Sequence, residues 1–329
     1  MPSKSPIALA LAAGASLVSA HGYVSSWEIG GTTYKGFDEQ WAVSQGTDTG
    51  NQFIAWSTSA SDNGFVAPDA YASADIICHR DAKNGALNNA TVAAGGKVTA
   101  IWNTWPDSHH GPVIDYLAPA DDPTSVDKTT LSWVKIAEAG VISGSNPGTW
   151  ASDEILSNNL AWEITIPEGT PAGNYVLRHE IIALHSANQA NGAQNYPQCV
   201  NIEVTGGSGS FPAGTSGEAL YTADEEGILF NIYQDFSSYP IPGPALGFSS
   251  SGSSNSGSSG SASSAVASSA AAATPTAAAT SSVAAAATSS AAAVAESAAT
   301  PTSSTASAVA PVATKSACKK RRHARDVKA

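Results

Sequence analysis

After Ala20 the sequence never again strings together enough apolar residues to span a bilayer, and basic residues stay scarce until its last fifteen positions. The first shortage argues against a membrane-spanning helix in that part of the chain. The second bears on partners: between His21 and Phe248, seven Lys and Arg face 25 Asp and Glu, a formal charge near −18. That excludes nucleic acid and anionic membranes as partners and leaves a neutral one, such as a glycan, as the better fit. Cysteine is also rare, with three in 329 residues. Only Cys78 and Cys199 lie where a core can form, so one bridge, Cys78–Cys199, is expected, with Cys318 left over in the tail. Closing that loop is worth roughly 4 to 5 kcal/mol in the chain-entropy model. Methionine is present once, as Met1.

Large aliphatic and aromatic side chains nearly vanish beyond Phe248, where Ser, Ala, Thr, Gly and Pro take over. Such a stretch has nothing to bury, so residues 249–314 are expected to be a disordered linker, followed by a basic tail at 315–329. The tail's Lys319-Lys320-Arg321-Arg322-His323 run suits a solvated end or a processing site. With a single cysteine the tail is not expected to hold a disulfide-stapled module, and with a charged close it is not expected to carry a glycolipid anchor signal.

At the other end, Lys4, the apolar run Ile7 to Val18 and small residues at Val18 and Ala20 form a secretory signal peptide, 1–20, cut before His21. The chain is therefore expected to be secreted, extracellular and folded in an oxidising compartment. The 228 residues from His21 to Phe248 suffice for one domain.

Within that domain, period-two patterns recur at Lys97–Trp102, Ala161–Ile166, Tyr175–Ile181 and Cys199–Val204, separated by Gly, Pro, Asn and Asp clusters. They read as half-buried strands, and no long amphipathic helical stripe competes. The fold class is all-β, an immunoglobulin- or fibronectin-like β-sandwich. Long irregular segments at Gly30–Ala70 and Ser186–Gln198 are expected to build a functional surface at one side of it. Asn89-Ala90-Thr91 is a glycosylation sequon, so Asn89 is expected at the surface.

Six histidines fall in the domain: His21, His79, His109, His110, His179 and His185. Cleavage before His21 gives that residue two donors, because a freed α-amino group has a pKa near 8 and yields its proton to a metal while the adjacent imidazole closes a chelate ring. His109 and His110 precede the apolar strand Val113–Leu117, so their rings point apart and only one can join the site. Two imidazoles and an amine form an all-nitrogen set suited to copper. Zinc is the competing occupant, and would support hydrolysis in place of oxidation.

Four sets of residues carry a resemblance: His21-Gly22, Ser108 to Val113, Arg178 to His185, and Gly192 to Cys199. Together with Asp75 to His79 and Gly227 to Tyr233 they resemble the fungal cellulose-active lytic polysaccharide monooxygenases, auxiliary activity family nine, over nearly all of residues 21–248. The resemblance implies one copper ion held by the His21 amino group and the His21 and His109 imidazoles, with Tyr196 on its axial side and His110 a neighbour. It assigns His185 and Gln194 to hydrogen bonding and proton delivery at the oxygen site, and leaves His79 and His179 structural. The implied reaction is oxidative cleavage of cellulose or a related β-glucan at C1 or C4. It takes O2 or H2O2 as co-substrate, draws electrons from an external donor or reductant, and is carried out by a monomer. Tyr233, Tyr239 and Tyr34 are candidate rings for stacking on sugar faces, each with ordinary packing as its alternative. A glycosidase would need two paired acids, and no motif selects such a pair. Non-catalytic copper-binding or carbohydrate-binding sandwiches are the rival readings.

Overall fold

The computed structural model describes residues 21–38, 41–42, 44 and 52–248. The signal peptide, linker, basic tail and Cys318 fall outside the described residues. Twelve strands follow in chain order. They are β1 (Val24–Ile29), β2 (Thr32–Lys35), β3 (Thr91–Ala93), β4 (Lys97–Trp102), β5 (Val113–Pro119) and β6 (Ser132–Ala139). Then come β7 (Val141–Ser143), β8 (Thr149–Trp150), β9 (Ala161–Thr165), β10 (Gly173–Ala183), β11 (Gln194–Thr205) and β12 (Thr215–Ser216). The four period-two segments of the sequence are β4, β9, β10 and β11.

A four-stranded sheet in the order β2-β1-β4-β9 packs on a six-stranded sheet, β12-β6-β5-β10-β11-β3, giving a β-sandwich. Trp27, Val98 and Ala100 of the first sheet meet Leu117, Leu177, Ile181 and Ile202 of the second in the core between them. Among the described residues the α-helices are short, Asp75–Cys78 and Ala151–Ser157, and none is long and apolar enough to cross a membrane.

The expectation of half-buried strands holds for β4 but not for β10, which, like the apolar strand β5, is buried on both faces along most of its length. The reason is a second core on the outer face of the larger sheet. Ile76 and Ile77 of the short helix, with Leu220, Ile228 and Ile232 from the chain's later loops, cover Ile114, Val176 and Ile182. Alternate β10 residues therefore bury polar groups on opposite faces. On the outer face, Arg178 pairs with Glu180 at 2.7 Å and donates to the carbonyls of Ile76 and Ile77 at 2.9 and 2.7 Å, all fully buried. On the inner face, His179 Nδ1 meets Asp115 at 2.7 Å, and Trp102 Nε1 donates to His179 Nε2 at 3.0 Å.

Removing one member of a buried ion pair strands the other charge, so Glu180→Gln is expected to cost about 3 to 5 kcal/mol in a denaturant titration. A loss below about 1 kcal/mol would mean that water or another group replaces the carboxylate.

The Cys78–Cys199 disulfide is formed, joining the short helix to β11 across 121 positions. The loop expected over Ser186–Gln198 ends at Ala193, because Gln194 to Gln198 pair with Ala183 to His179 as the start of β11. Pro197 is tolerated there. Its neighbours Asn195 and Cys199 turn their backbone groups away from β10, bonding to Val66 and Trp56, and Pro197 faces the same way, where no ladder donor is required.

Candidate metal centre

The described chain opens at half-buried His21 and runs straight into β1, and three contacts fix that entry. Tyr23 N donates to Asn103 Oδ1 at 2.9 Å, Asn103 N returns a bond to Tyr23 O at 3.0 Å, and Asn63 Nδ2 donates to His21 O at 3.3 Å. Gly22 is wedged against the strand's neighbour: a Cβ built there would lie 2.0 Å from Thr104 O. That atom is backbone and cannot swing aside. Gly22→Ala is accordingly expected to push His21 outward and weaken Cu(II) binding about tenfold or more, measured by titration calorimetry, with little change in melting temperature.

His109 comes to the same place from the loop ahead of β5. Its backbone N bonds Pro106 O at 3.1 Å, its carbonyl accepts from Trp105 Nε1 at 3.1 Å, and its Nδ1 meets Ser108 Oγ at 3.2 Å. Its Nε2 is buried and has no hydrogen-bond partner. An orphaned buried nitrogen costs free energy unless something binds it. The His21 and His109 rings lie 5.4 Å apart, close enough for each to turn a nitrogen to one ion at a metal–nitrogen distance of roughly 2 Å.

Among the described residues no group of three His, Cys, Asp or Glu side chains gathers as a metal set. Two imidazoles need a further donor, and the nitrogen at hand is His21's own, an amide until the chain is cut before it. Burial lowers the His21 pKa, against a smaller opposing pull from Asp62. Burial, followed by the His185, His21 and His110 rings, pushes His109 down to about 3. Imidazoles held in the neutral form are what a metal requires, so the donor set fits copper.

The surrounding groups fall into place around the pair. Tyr196, fully buried on β11, sets its ring 5.7 Å from that of His21, and burial holds its phenol well above the usual tyrosine range. Its hydroxyl donates to Gln194 Oε1 at 2.8 Å, which leaves the Gln194 amide N–H as that side chain's donor. His185 lies against His109 at 3.9 Å between ring centroids, with Nδ1 buried and unpartnered, and burial lowers its pKa. His110 turns the other way, its Nδ1 2.8 Å from Asp153 in the helix Ala151–Ser157. The predicted residues His21, His109, His185, Gln194 and Tyr196 are thus brought together, and His110 is set apart.

The three candidate stacking tyrosines fare differently. Tyr233 is 49% exposed. Tyr239 is packed: its ring sits 4.8 Å from Trp150 and 5.0 Å from Phe230, and its hydroxyl donates to Gly227 O at 2.7 Å. Tyr34 lies on the edge strand β2 opposite Trp27, roughly 20 Å along β1 from His21, with its hydroxyl donating to Asn89 O at 3.2 Å. The structure does not bring Tyr34 to the metal site. Sequence reasoning passed over Trp105, Phe65 and Asn63. Trp105 lies edge-on to Tyr196 at 5.0 Å and to His109 at 5.9 Å; Phe65 lies edge-on to His21 at 5.9 Å. Trp105 stands four residues before His109, a proximity that was there to use; Phe65 and Asn63 carried no local signal.

Residues 21–239 match the model of Auxiliary Activity family 9, formerly GH61, beginning at His21 itself. The chain belongs to this family. It is 55% identical over 247 residues to AA9 family lytic polysaccharide monooxygenase A of Malbranchea cinnamomea, covering 74% of this chain and 72% of that one. It is 56% identical over 238 residues to AA9 family lytic polysaccharide monooxygenase E of Aspergillus tamarii, covering 71% and 94% respectively. Among solved structures, the extended catalytic domain of H. jecorina LPMO9A superposes with a TM-score of 0.65 at 48% identity, over 69% of this chain and 90% of that one. Family 9 enzymes are copper-dependent monooxygenases that cleave polysaccharides oxidatively, drawing on an external reductant and on O2 or H2O2. The two imidazoles, Tyr196 and the His185–Gln194 pair described above all lie within the matched residues.

Proposed function

We propose that the chain is cut between Ala20 and His21 and secreted. The mature domain, residues 21–248, then cleaves the β-1,4-glucan chains of cellulose by hydroxylation at C1 or C4. The observation that carries this reading is the convergence of the His21 and His109 rings at 5.4 Å, with His109 Nε2 buried and unpartnered. The His21 amine and imidazole and the His109 imidazole hold one copper ion. Bound copper supplies one-electron redox chemistry that couples the external donor and O2 or H2O2 to hydroxylation of a sugar carbon.

The chain's own residues do the rest. Tyr196, kept as a neutral phenol by burial, would stand beside the ion against the His21 ring and keep water from that side. Its bond to Gln194 fixes that amide so that the N–H faces the site. His185, neutral and stacked on His109, supplies or accepts the proton that the oxygen chemistry needs. Exposed Tyr233 offers a ring to a sugar face, and the open edge of half-buried Tyr239 offers a second. Tyr34 serves packing on its edge strand. The acidic domain repels anionic polymers and accepts a neutral glucan. Asn89 is exposed, as a glycan acceptor must be. Residues 249–314 act as a linker and 315–329 as a solvated basic tail.

The test is to incubate copper-loaded mature protein with cellulose and ascorbate and analyse the soluble products by mass spectrometry. Aldonic acids or C4-oxidised oligosaccharides are expected. Their absence, with copper bound, would leave a copper-binding sandwich; their absence with cellulose bound but no copper would leave a carbohydrate-binding one.

A further inference from the structure

His79 is buried, lies outside the set assigned to copper, and has a backbone that side chains rarely tolerate. Its φ is +83° with ψ 176°, a conformation open essentially to glycine alone. Such strain persists only where the surroundings enforce it, and here both ring nitrogens are engaged. Nδ1 accepts from Arg80 N at 2.8 Å, and Nε2 donates to Gly64 O at 2.9 Å. Burial, with Arg80 adding to it, pushes the ring's pKa down to about 4, so the neutral form that can both donate and accept is the one present near neutral pH.

Gly64 belongs to the loop Ser59–Phe65, and the segment His79–Asp81 stitches that loop down at three further points. Ser59 N donates to Arg80 O at 3.0 Å, Ser59 Oγ donates to Asp81 Oδ2 at 2.8 Å, and Arg80 pairs with Asp62. Next to these tethers the loop presents two side chains to the start of the mature chain. Asn63 Nδ2 donates to His21 O, and the Phe65 ring stands edge-on to the His21 ring at 5.9 Å and 6.1 Å from that of Tyr196. The His79 segment is itself fixed to β11 by the neighbouring Cys78–Cys199 bridge. A covalent path thus runs from the strand bearing Tyr196 to His79, and non-covalent tethers carry it on to His21.

A residue that begins a chain is held covalently on one side only, and chain ends fray unless tied down. A chelate built on such a residue needs its backbone fixed by contacts from elsewhere.

We propose that His79 is a positioning residue for the metal-binding N-terminus: its Nε2–H bond to Gly64 O sets the Asp62–Phe65 loop, and that loop, through Asn63 and Phe65, holds His21 in the conformation that binds copper. This rests on the assignment of His21 to the copper site.

Two substitutions separate the ring's roles. His79→Asn places an amide oxygen where Nδ1 accepts from Arg80 and meets the same backbone strain as histidine, but its amide stops short of Gly64. His79→Gln carries an N–H out toward the Nε2 position and restores the reach. In metal-free mature protein, amide hydrogen exchange at Tyr23 and Asn63 is expected to be about tenfold faster in His79→Asn. With copper, the same variant is expected to bind about tenfold more weakly and to show a shifted Cu(II) paramagnetic resonance spectrum. His79→Gln should return all three readouts toward the parent protein.

If His79→Asn lowers the melting temperature while Tyr23 exchange and the Cu(II) spectrum stay unchanged, or if Gln fails to rescue, the proposal is overturned. Should His79→Asn not fold, Arg80→Met cuts the tether to Asp62 from the partly exposed side, and unchanged Tyr23 exchange there would overturn it equally. Failure of the parent protein to bind copper would sink the site assignment. The metal-free exchange experiment would still decide whether His79 anchors the N-terminus.

Discussion

Leaving a single alanine ahead of His21 lowers Cu(II) affinity by more than about a hundredfold and removes oxidised products from the cellulose assay. Removing an outer partner of a metal ligand already costs about 10- to 100-fold, and here a ligand itself is lost. An amide nitrogen delocalises its lone pair into the carbonyl, so while it keeps its proton the site drops from three nitrogens to two and the chelate ring at His21 does not close. Among the described residues no group of three His, Cys, Asp or Glu side chains gathers as a metal set, and the further imidazole beside the pair, His185, packs against the His109 ring. The fold has no stake in the change, because the contacts that hold Tyr23 to Asn103 lie downstream of it. Titration calorimetry on the extended and mature forms checks the affinity. Trimming the alanine with an aminopeptidase restores the mature value if the amine is the missing donor. Equal affinities would mean that the metal does not use the chain's end.

His109→Ala has an effect of similar size for a different reason. It deletes the one imidazole whose Nε2 is buried without a partner, while the bonds that shape its loop survive: Trp105 Nε1 donates to the His109 carbonyl, not to the ring. Stability of the metal-free protein should therefore change by only about 1 kcal/mol, whereas copper binding falls by more than about a hundredfold and product formation stops. His110→Ala is the contrast. Its ring is committed to Asp153, so the variant keeps copper and turnover. Side-by-side calorimetry and product analysis of the two variants check the pair. Loss of copper in His110→Ala with retention in His109→Ala would reverse the assignment.

The strands were legible because a period of two survives in any segment that buries one face; β4 and β9 alternate as Lys97–Trp102 and Ala161–Thr165 suggest. Burial of β10 on both faces was not legible. Its cover comes from the helix at Asp75–Cys78 and from loops near Leu220 and Ile228, which have no periodicity and announce nothing about where they pack. The start of β11 was hidden by Pro197, which reads as a strand breaker until one sees that its missing donor faces an edge needing none. At the site, His21, His109, His185, Gln194 and Tyr196 could be named from motifs because their chemistry restricts the residue type. Phe65, Asn63 and His79 are linked to His21 by contacts that only the folded chain displays. Tyr34 shows what sequence position leaves open: an aromatic in a long early segment reads as available for sugar, and the fold sets it on an edge strand far along β1 from His21.

The central claim is that one ion is gripped by three nitrogens, one of them the freed amine of His21. Electron paramagnetic resonance of mature protein loaded with one equivalent of Cu(II), with isotopic labelling of histidine nitrogen, counts them directly. The account predicts three coordinated nitrogens, of which two are imidazole and the third is the His21 amine. A spectrum with only two coordinated nitrogens, or one that is the same whether or not a residue precedes His21, would contradict it.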